Sequence, residues 1–261
     1  MPTPSESNRQ PYGVHMLTAS PIKTASTFLK SMSHGSMEVA VAHDEPNGVF
    51  VAQPGVSMQD ANVVTSVEQL RAVIPAPNPA VHRKVSHILD EGARQFISES
   101  PLIFVSTSDR QFNIDVSPKG DLPGFVRVEN SSTLLIPERP GNRLTYGFQN
   151  LIETGSIGLI FLIPGVRETL RVNGTAVITR DPALLQEFVS NGKAALLCTR
   201  VTVKECFFHC GKALIRSKLW LPEAWHDGPS KDAAVKSLAG RFGIPEAVMR
   251  DKAEEDYRCN L

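Results

Sequence analysis

Cysteine is scarce in this sequence: Cys198, Cys206, Cys210 and Cys259 are the four that 261 residues contain. That is too few for a disulfide scaffold in a chain of this length, so the expected compartment is reducing and cytoplasmic. Net charge is missing as well. The 27 basic and 27 acidic residues cancel, which removes the electrostatic footprint of a general nucleic-acid binder. No apolar run approaches the roughly 20 residues that span a bilayer, so no membrane partner is expected. The opening MPTPSESNRQPYG has neither the basic n-region nor the apolar h-region of a secretory signal. The Ser/Thr-rich stretch from Pro21 to Lys30 lacks the arginine-rich amphipathic pattern of a transit peptide, and Glu6 precedes it. Three signatures are also absent: G-x-x-x-x-G-K-[ST], G-x-G-x-x-G and G-x-S-x-G. Nucleoside triphosphatase, dinucleotide-fold and α/β-hydrolase readings lose their main support with them.

What is present fits a globular chain with a sizeable core: 41% hydrophobic and 21% charged residues. Residues 1–62, rich in Pro, Ser, Gly and Asn, read as a partly ordered extension with short strands at Met37–Val41 and Gly48–Ala52. Order is expected from 63 to 225, followed by a helical tail over 226–261 that breaks at Gly243-Ile244-Pro245. Within the ordered part, Ser66 caps a short helix that Pro75 stops. Val81, Val85, Ile88, Leu89 and Phe96 then share one face of a longer helix. From Leu102 the period changes to that of strands. Leu102–Thr107 is continuously apolar, and Phe112, Ile114 and Val116 alternate with polar residues as in a half-buried strand. Further strands are expected at Gly124–Val128, Thr133–Ile136, Ile157–Ile163, Glu168–Ile178 and Cys198–Phe208, with a bulge or bend at Gly174. Asp181-Pro182 opens a helix through Ser190. Many short strands with inserted helices argue for a closed or partly closed antiparallel barrel.

The stretch TLLIPERPGNRLTYGFQN (133–150) carries the first chemistry. A strand breaks at Pro137 and Pro140-Gly141, and Leu144, Phe148, Leu151 and Ile152 then fall on one helix face over 143–154. Asn142 is a good N-cap type. Arg139 and Arg143 therefore flank a helix N-terminus, whose free amides and dipole suit a phosphate. The alternative is a pair of solvated surface arginines. Ser117-Pro-Lys-Gly-Asp121 either brings Lys119 to a phosphate or is an ordinary polar turn. Thr169 and Arg171 share a strand face that lines a cleft or meets solvent. Lys212 and Arg216 lie one helical turn apart with Trp220 beyond them, an arrangement that suits a planar anion or an ordinary basic surface. Cys206-x-x-His209-Cys210 has three soft ligands but no fourth at matching spacing, so no metal is expected.

Four of these stretches occur in order: DVSPKGDLPGFV (115–126), LIPERPGNRL (135–144), GVRETLRVNG (165–174) and FFHCGKALIRSKLW (207–220). Together they resemble the pyridoxamine 5′-phosphate oxidase-like flavoproteins of the FMN-binding split-barrel superfamily, in the branch of uncharacterised, FMN-dependent enzymes. The resemblance spans roughly Val63 to Trp225. It implies an α+β fold: a six-stranded antiparallel Greek-key split barrel with flanking helices, dimerising around two FMN sites. By position, Ser117, Lys119 and the turn with Ile136, Pro137, Arg139, Asn142 and Arg143 would hold the FMN phosphate. Thr169 and Arg171 would approach the ribityl chain or ring edge. Lys212, Arg216 and Trp220 would close the site from the partner subunit. The family's namesake carries an arginine near the position of Asp115 and a C-terminal Trp–Arg signature where this sequence reads Tyr257-Arg-Cys-Asn-Leu. The resemblance therefore extends to FMN binding and not to vitamin B6 oxidation.

The implied activity is that of an FMN-dependent oxidoreductase acting on a small-molecule substrate. The flavin itself carries the electrons, so no catalytic side chain is named. A cation near the N1–C2 edge of the ring would stabilise reduced flavin, and Arg171, Lys212 and Arg216 each meet that need. Two alternatives belong to the same fold: a non-catalytic carrier or sensor for FMN or haem, with His209 as the axial candidate, and a deazaflavin-dependent reductase.

Overall fold

Seven strands pair throughout as antiparallel neighbours in the order β2-β1-β5-β6-β7-β4-β3. They are β1 (Leu102–Ser108), β2 (Ile114–Gly120), β3 (Arg127–Asn130), β4 (Thr133–Pro137), β5 (Ser156–Leu162), β6 (Thr169–Thr179) and β7 (Cys198–His209). The computed structural model describes residues 62–225 and 227–260. The strands expected at Met37–Val41 and Gly48–Ala52 lie outside the described residues. The helices are α1 (Val67–Val73), α2 (Glu91–Glu99), α3 (Tyr146–Thr154), α4 (Pro182–Gln186), α5 (Lys212–Ser217), α6 (Ala233–Phe242) and α7 (Glu246–Asn260). The fold is α+β, an antiparallel sheet with flanking helices, as expected. It has one strand more than the six implied, and the shortest, β3, is four residues long. Among the described residues no helix is long and apolar enough to cross a membrane.

Alternation explains the core. Leu170 and Val172 of β6 and Val201 and Val203 of β7 point inward and are buried, as are Ile103 and Val105 of β1 and Leu159 and Phe161 of β5. Helix α2 covers this interior with Ala93, Phe96 and Ile97, and α3 adds Leu151. A smaller cluster joins Leu135 and Cys198 to Leu184, Phe188 and Ala195. Burial pushes the Cys198 thiol up to about 11, so it behaves as a packing group. The β6–β7 ladder shifts register between Asn173 and Gly174, which is the bulge that the glycine marks in the sequence.

Four local expectations change. The longer helix expected from Val81 to Phe96 is divided: a 3₁₀ turn covers Pro79–Lys84, and α2 starts only at Glu91. Between them Ser86 pairs with Cys206, and His87 Nδ1 bonds the Lys204 carbonyl at 2.7 Å. Pairing with β7 thus overrides the helical pattern. Asp90 supplies the cap, accepting from the Ala93 amide at 2.8 Å. Asn142 does not cap α3. Its Oδ1 accepts from Leu144 N within an Asx-type turn, and the helix begins behind Thr145. The helix expected through Ser190 ends at Gln186, because Ser190 and Lys193 close a tight turn on themselves. Finally, Phe112 sits in the turn with φ 64°, and Ile114 and Val116 face outward, 72% and 61% exposed. The alternation of β2 is as expected, but the face it turns inward is the polar one.

Gly174 has no room for a side chain. A Cβ there would stand 2.1 Å from the Thr202 carbonyl oxygen. Gly174→Ala must push two paired strands apart. It is expected to cost about 1–3 kcal/mol, the usual range for overpacking, read as a lower urea midpoint at unchanged m-value.

Candidate functional site

The two ends of the sheet do not join by a backbone ladder. Strand β3 covers only the first part of β4, pairing Arg127 with Leu135, Val128 with Leu134 and Asn130 with Thr133. Ile136 and Pro137 run on beyond it, toward the end of β2. Side chains bridge the gap: Lys119 pairs with Glu138, and Arg139 Nε donates to Asp121 at 2.9 Å. A cavity of about 700 Å³ opens at this seam. That volume lies within the usual range for small-molecule sites, roughly 300–1,000 Å³.

Three stretches of the chain supply most of the cavity wall. From β2 come Asp115, Ser117, Pro118 and Lys119, and from the end of β4 come Ile136 and Pro137. The loop Glu138–Thr145 and the start of α3 form a second side, and the turn around Ser190–Lys193 forms a third. Of the sequence-derived candidates, Ser117, Lys119, Ile136, Pro137, Arg139, Asn142 and Arg143 all line it. Four cations (Lys119, Arg139, Arg143, Lys193) and three carboxylates (Asp115, Asp121, Glu138) share its wall.

The loop is held in shape. Glu138 N donates to Leu197 O at 2.9 Å and Leu196 N donates to Glu138 O at 3.0 Å, which ties its base to the third side. Arg139 also donates from Nη1 to Phe188 O at 2.7 Å, so its guanidinium is fixed along two directions. Arg143 and Thr145 both take left-handed backbone, with φ 61° and 56°. Such conformations cost non-glycine residues roughly 1–2 kcal/mol each and survive only where neighbours enforce them. Arg143 is exposed and has no hydrogen bond or ion pair among the described residues. Lys119 Nζ lies 5.2 Å from the centre of the Phe148 ring. Asn150 Nδ2 reaches Thr107 Oγ1 at 3.1 Å and holds α3 on β1.

Reasoning from sequence missed the third side. Asn191-Gly192 is a strong signal for a two-residue hairpin turn, since both central residues need positive φ. They have it, 50° and 73°, and Ser190 and Lys193 exchange two backbone bonds across the turn. Asp121 was legible only as part of a turn. In the structure it accepts from Arg139, from the Leu122 amide at 2.8 Å and from Ser190 Oγ at 3.2 Å, uniting all three sides.

The remaining candidates lie elsewhere. Thr169 and Arg171 belong to β6, outside the cavity lining, where Thr169 pairs with His209 and Arg171 with Phe207. Arg171 Nη2 bonds Glu205 Oε1 at 3.1 Å, which also accepts from Asn173 Nδ2 at 2.8 Å. The guanidinium lies 4.8 Å from the Phe207 ring, which Lys84 also approaches. Arg171 Nε is buried with no acceptor, the one such side-chain atom among the described residues. Desolvation, then the charges of Arg171 and Lys84, hold the nearby His209 below the ordinary imidazole range. Strand alternation sets His209 opposite Cys206, whose Sγ reaches Ile88 O at 3.1 Å inside the fold. Lys212 and Arg216 are exposed on α5, and Trp220 Nε1 donates to Val166 O at 2.8 Å.

Residues 89–210 match the family model described as pyridoxamine 5′-phosphate oxidase. No curated protein matches the chain. Similar solved structures include HupZ from Group A Streptococcus, at 19% identity over 46% of this chain and 92% of that one, with a TM-score of 0.38. An FMN-binding protein from Syntrophomonas wolfei is 15% identical over 46% of this chain and 85% of its own, with a TM-score of 0.37. A Clostridium acetobutylicum protein related to general stress protein 26, of the pyridoxinephosphate oxidase family, is 14% identical over 46% and 86%, with a TM-score of 0.34. The matched segment begins at Leu89, ahead of α2, and ends just past β7, so it contains every strand and the whole seam. The likeness to the pyridoxamine 5′-phosphate oxidase family therefore rests on residues 89–210, a little under half of the chain.

Proposed function

We propose that the protein is a homodimeric, cytoplasmic, FMN-dependent oxidoreductase acting on a small molecule, and that the seam cavity takes the phosphate end of the flavin. One observation carries this: the seven residues that the family resemblance implies at the FMN phosphate, from two stretches of the chain, line a single cavity. Its donor set fits the group. Lys119 offers an ammonium paired with Glu138, Arg143 offers a guanidinium with no hydrogen bond or ion pair among the described residues, and Arg139 is pinned in the same wall. Guanidinium and ammonium groups are the usual side-chain donors to phosphate. Ser117 and the loop amides add neutral donors. FMN, when bound, supplies the reversible transfer of one or two electrons. The chain's own part is grip, orientation and a cation beside the ring.

The second group of candidates supports a dimer. Ile114 and Val116 of β2 and Phe104 of β1 leave an apolar outer surface on the sheet, and pairing registers carry that surface across to Arg171 and Phe207. A partner copy docked there would bury it. It would also carry Lys212, Arg216 and Trp220 toward the flavin from the other subunit.

Purified protein is expected to bind added FMN and turn yellow, with quenched flavin fluorescence. Arg143→Ala and Lys119→Ala should each weaken binding by about tenfold, the effect of losing one charge-assisted hydrogen bond. Protein that stays colourless at saturating FMN ends this reading. In light scattering the protein should run as a dimer. Val116→Asp, which places a charge on the outer surface but leaves each barrel intact, should yield folded monomer. A wild-type monomer at high concentration would remove the dimer.

A further inference from the structure

The two ion pairs at the seam differ in how their carboxylates are held. Asp121 is fixed from four directions: Oδ2 accepts from Arg139, Oδ1 accepts from Leu122 N and Ser190 Oγ, and its own amide donates to Pro101 O at 3.1 Å. It is a strut. The Glu138 carboxylate has one partner among the described residues, Lys119 Nζ. Its backbone, by contrast, is clamped at both N and O by Leu197 and Leu196. The side chain can therefore leave Lys119 by rotating its own torsions while the loop stays still. Lys119 is the cation that β2 presents to the cavity, with the Phe148 ring beneath it.

We infer that Glu138 is a placeholder anion, which occupies Lys119 until a phosphate-bearing ligand takes its position and then swings aside. This rests on the reading of the cavity as a phosphate site. The exchange keeps the half-buried ammonium paired at all times, since an isolated charge there would be costly to desolvate. It also sets specificity. A dianionic phosphate outcompetes one carboxylate, whereas a neutral ligand of the same shape leaves the Lys119–Glu138 pair undisturbed and gains nothing from Lys119. Glu138 is thus a specificity-determining residue that acts by competing with the ligand.

FMN and riboflavin, which differ only in the phosphate, separate this from a structural role. Fluorescence titration of the full chain should show Glu138→Gln binding FMN about fivefold more tightly, the size of a partly exposed ion pair, with riboflavin affinity unchanged. The gain should vanish in a Lys119→Met background, as a double-mutant cycle on a shared contact requires. Glu138→Ala should behave like Glu138→Gln and replaces it if the glutamine variant does not fold. Weaker FMN binding by these variants, equal gains for both flavins, or a gain that persists without Lys119 would each overturn the inference. If no variant binds either flavin, the FMN reading fails alone, and inorganic phosphate then decides the exchange. It should raise the melting temperature more in Glu138→Gln than in wild type, and an equal or smaller rise refutes the exchange.

Discussion

The sheet's two ends meet through charged side chains instead of a hydrogen-bond ladder, and the cavity exists because of that gap. A ladder between β2 and β4 would fill the space with backbone and leave no room for a ligand. Ion pairs close the seam while keeping it polar and reachable. Lys119–Glu138 and Arg139–Asp121 tie β2 to the residues just past β4, and Asp121 extends the tie to the Ser190–Lys193 turn. The short β3 is part of the same arrangement, since it stops before Ile136 and frees the end of β4 to form a wall.

Rigidity around the seam comes from elsewhere in the sheet. The long β6–β7 pair forms the middle of the strand order, with Leu170, Val172, Val201 and Val203 buried between the sheet and its helices. The bulge at Gly174 bends that pair, and bends of this kind let a sheet curl until its ends face each other. Helix α3 then crosses from β4 to β5 and lies over the start of the seam, anchored by Asn150 on Thr107 and Thr154 on Ser108 O. Packing, curvature and charge act in series: the core sets the curl, the curl sets the gap, and the gap sets the charges.

Much of this was legible in the sequence, for reasons that can be stated residue by residue. The continuous apolar run Leu102–Thr107 and the period-2 alternation of Ile114 and Val116 mark their strands locally, and the glycine at 174 marks a bulge where a Cβ would meet the Thr202 carbonyl. Arg139, Arg143 and Lys119 stood out because cations beside prolines and glycines are sparse and local. What was not legible depends on long-range partners. No local signal says that Ser86 pairs with Cys206, so the helical pattern of 81–96 misled. Asn142 is a good cap type, but the backbone turns left-handed at Arg143 and Thr145 and the helix begins only behind Thr145, which no local pattern signals. The third side of the cavity was signalled by Asn191-Gly192, yet nothing local placed that turn beside Asp121. The outward direction of Ile114 and Val116 depends on which face of β2 meets the interior, which alternation alone leaves open.

An open seam between strand ends carries a hazard that closed barrels avoid: exposed backbone can recruit a strand from another molecule and seed aggregation. Here each border of the opening carries a proline, Pro118 in β2 and Pro137 at the end of β4. Neither has an amide hydrogen to offer an incoming chain, and proline within a strand is confined to such borders for that reason. The molecule can therefore keep a gap wide enough for a ligand while denying it to a neighbour's backbone.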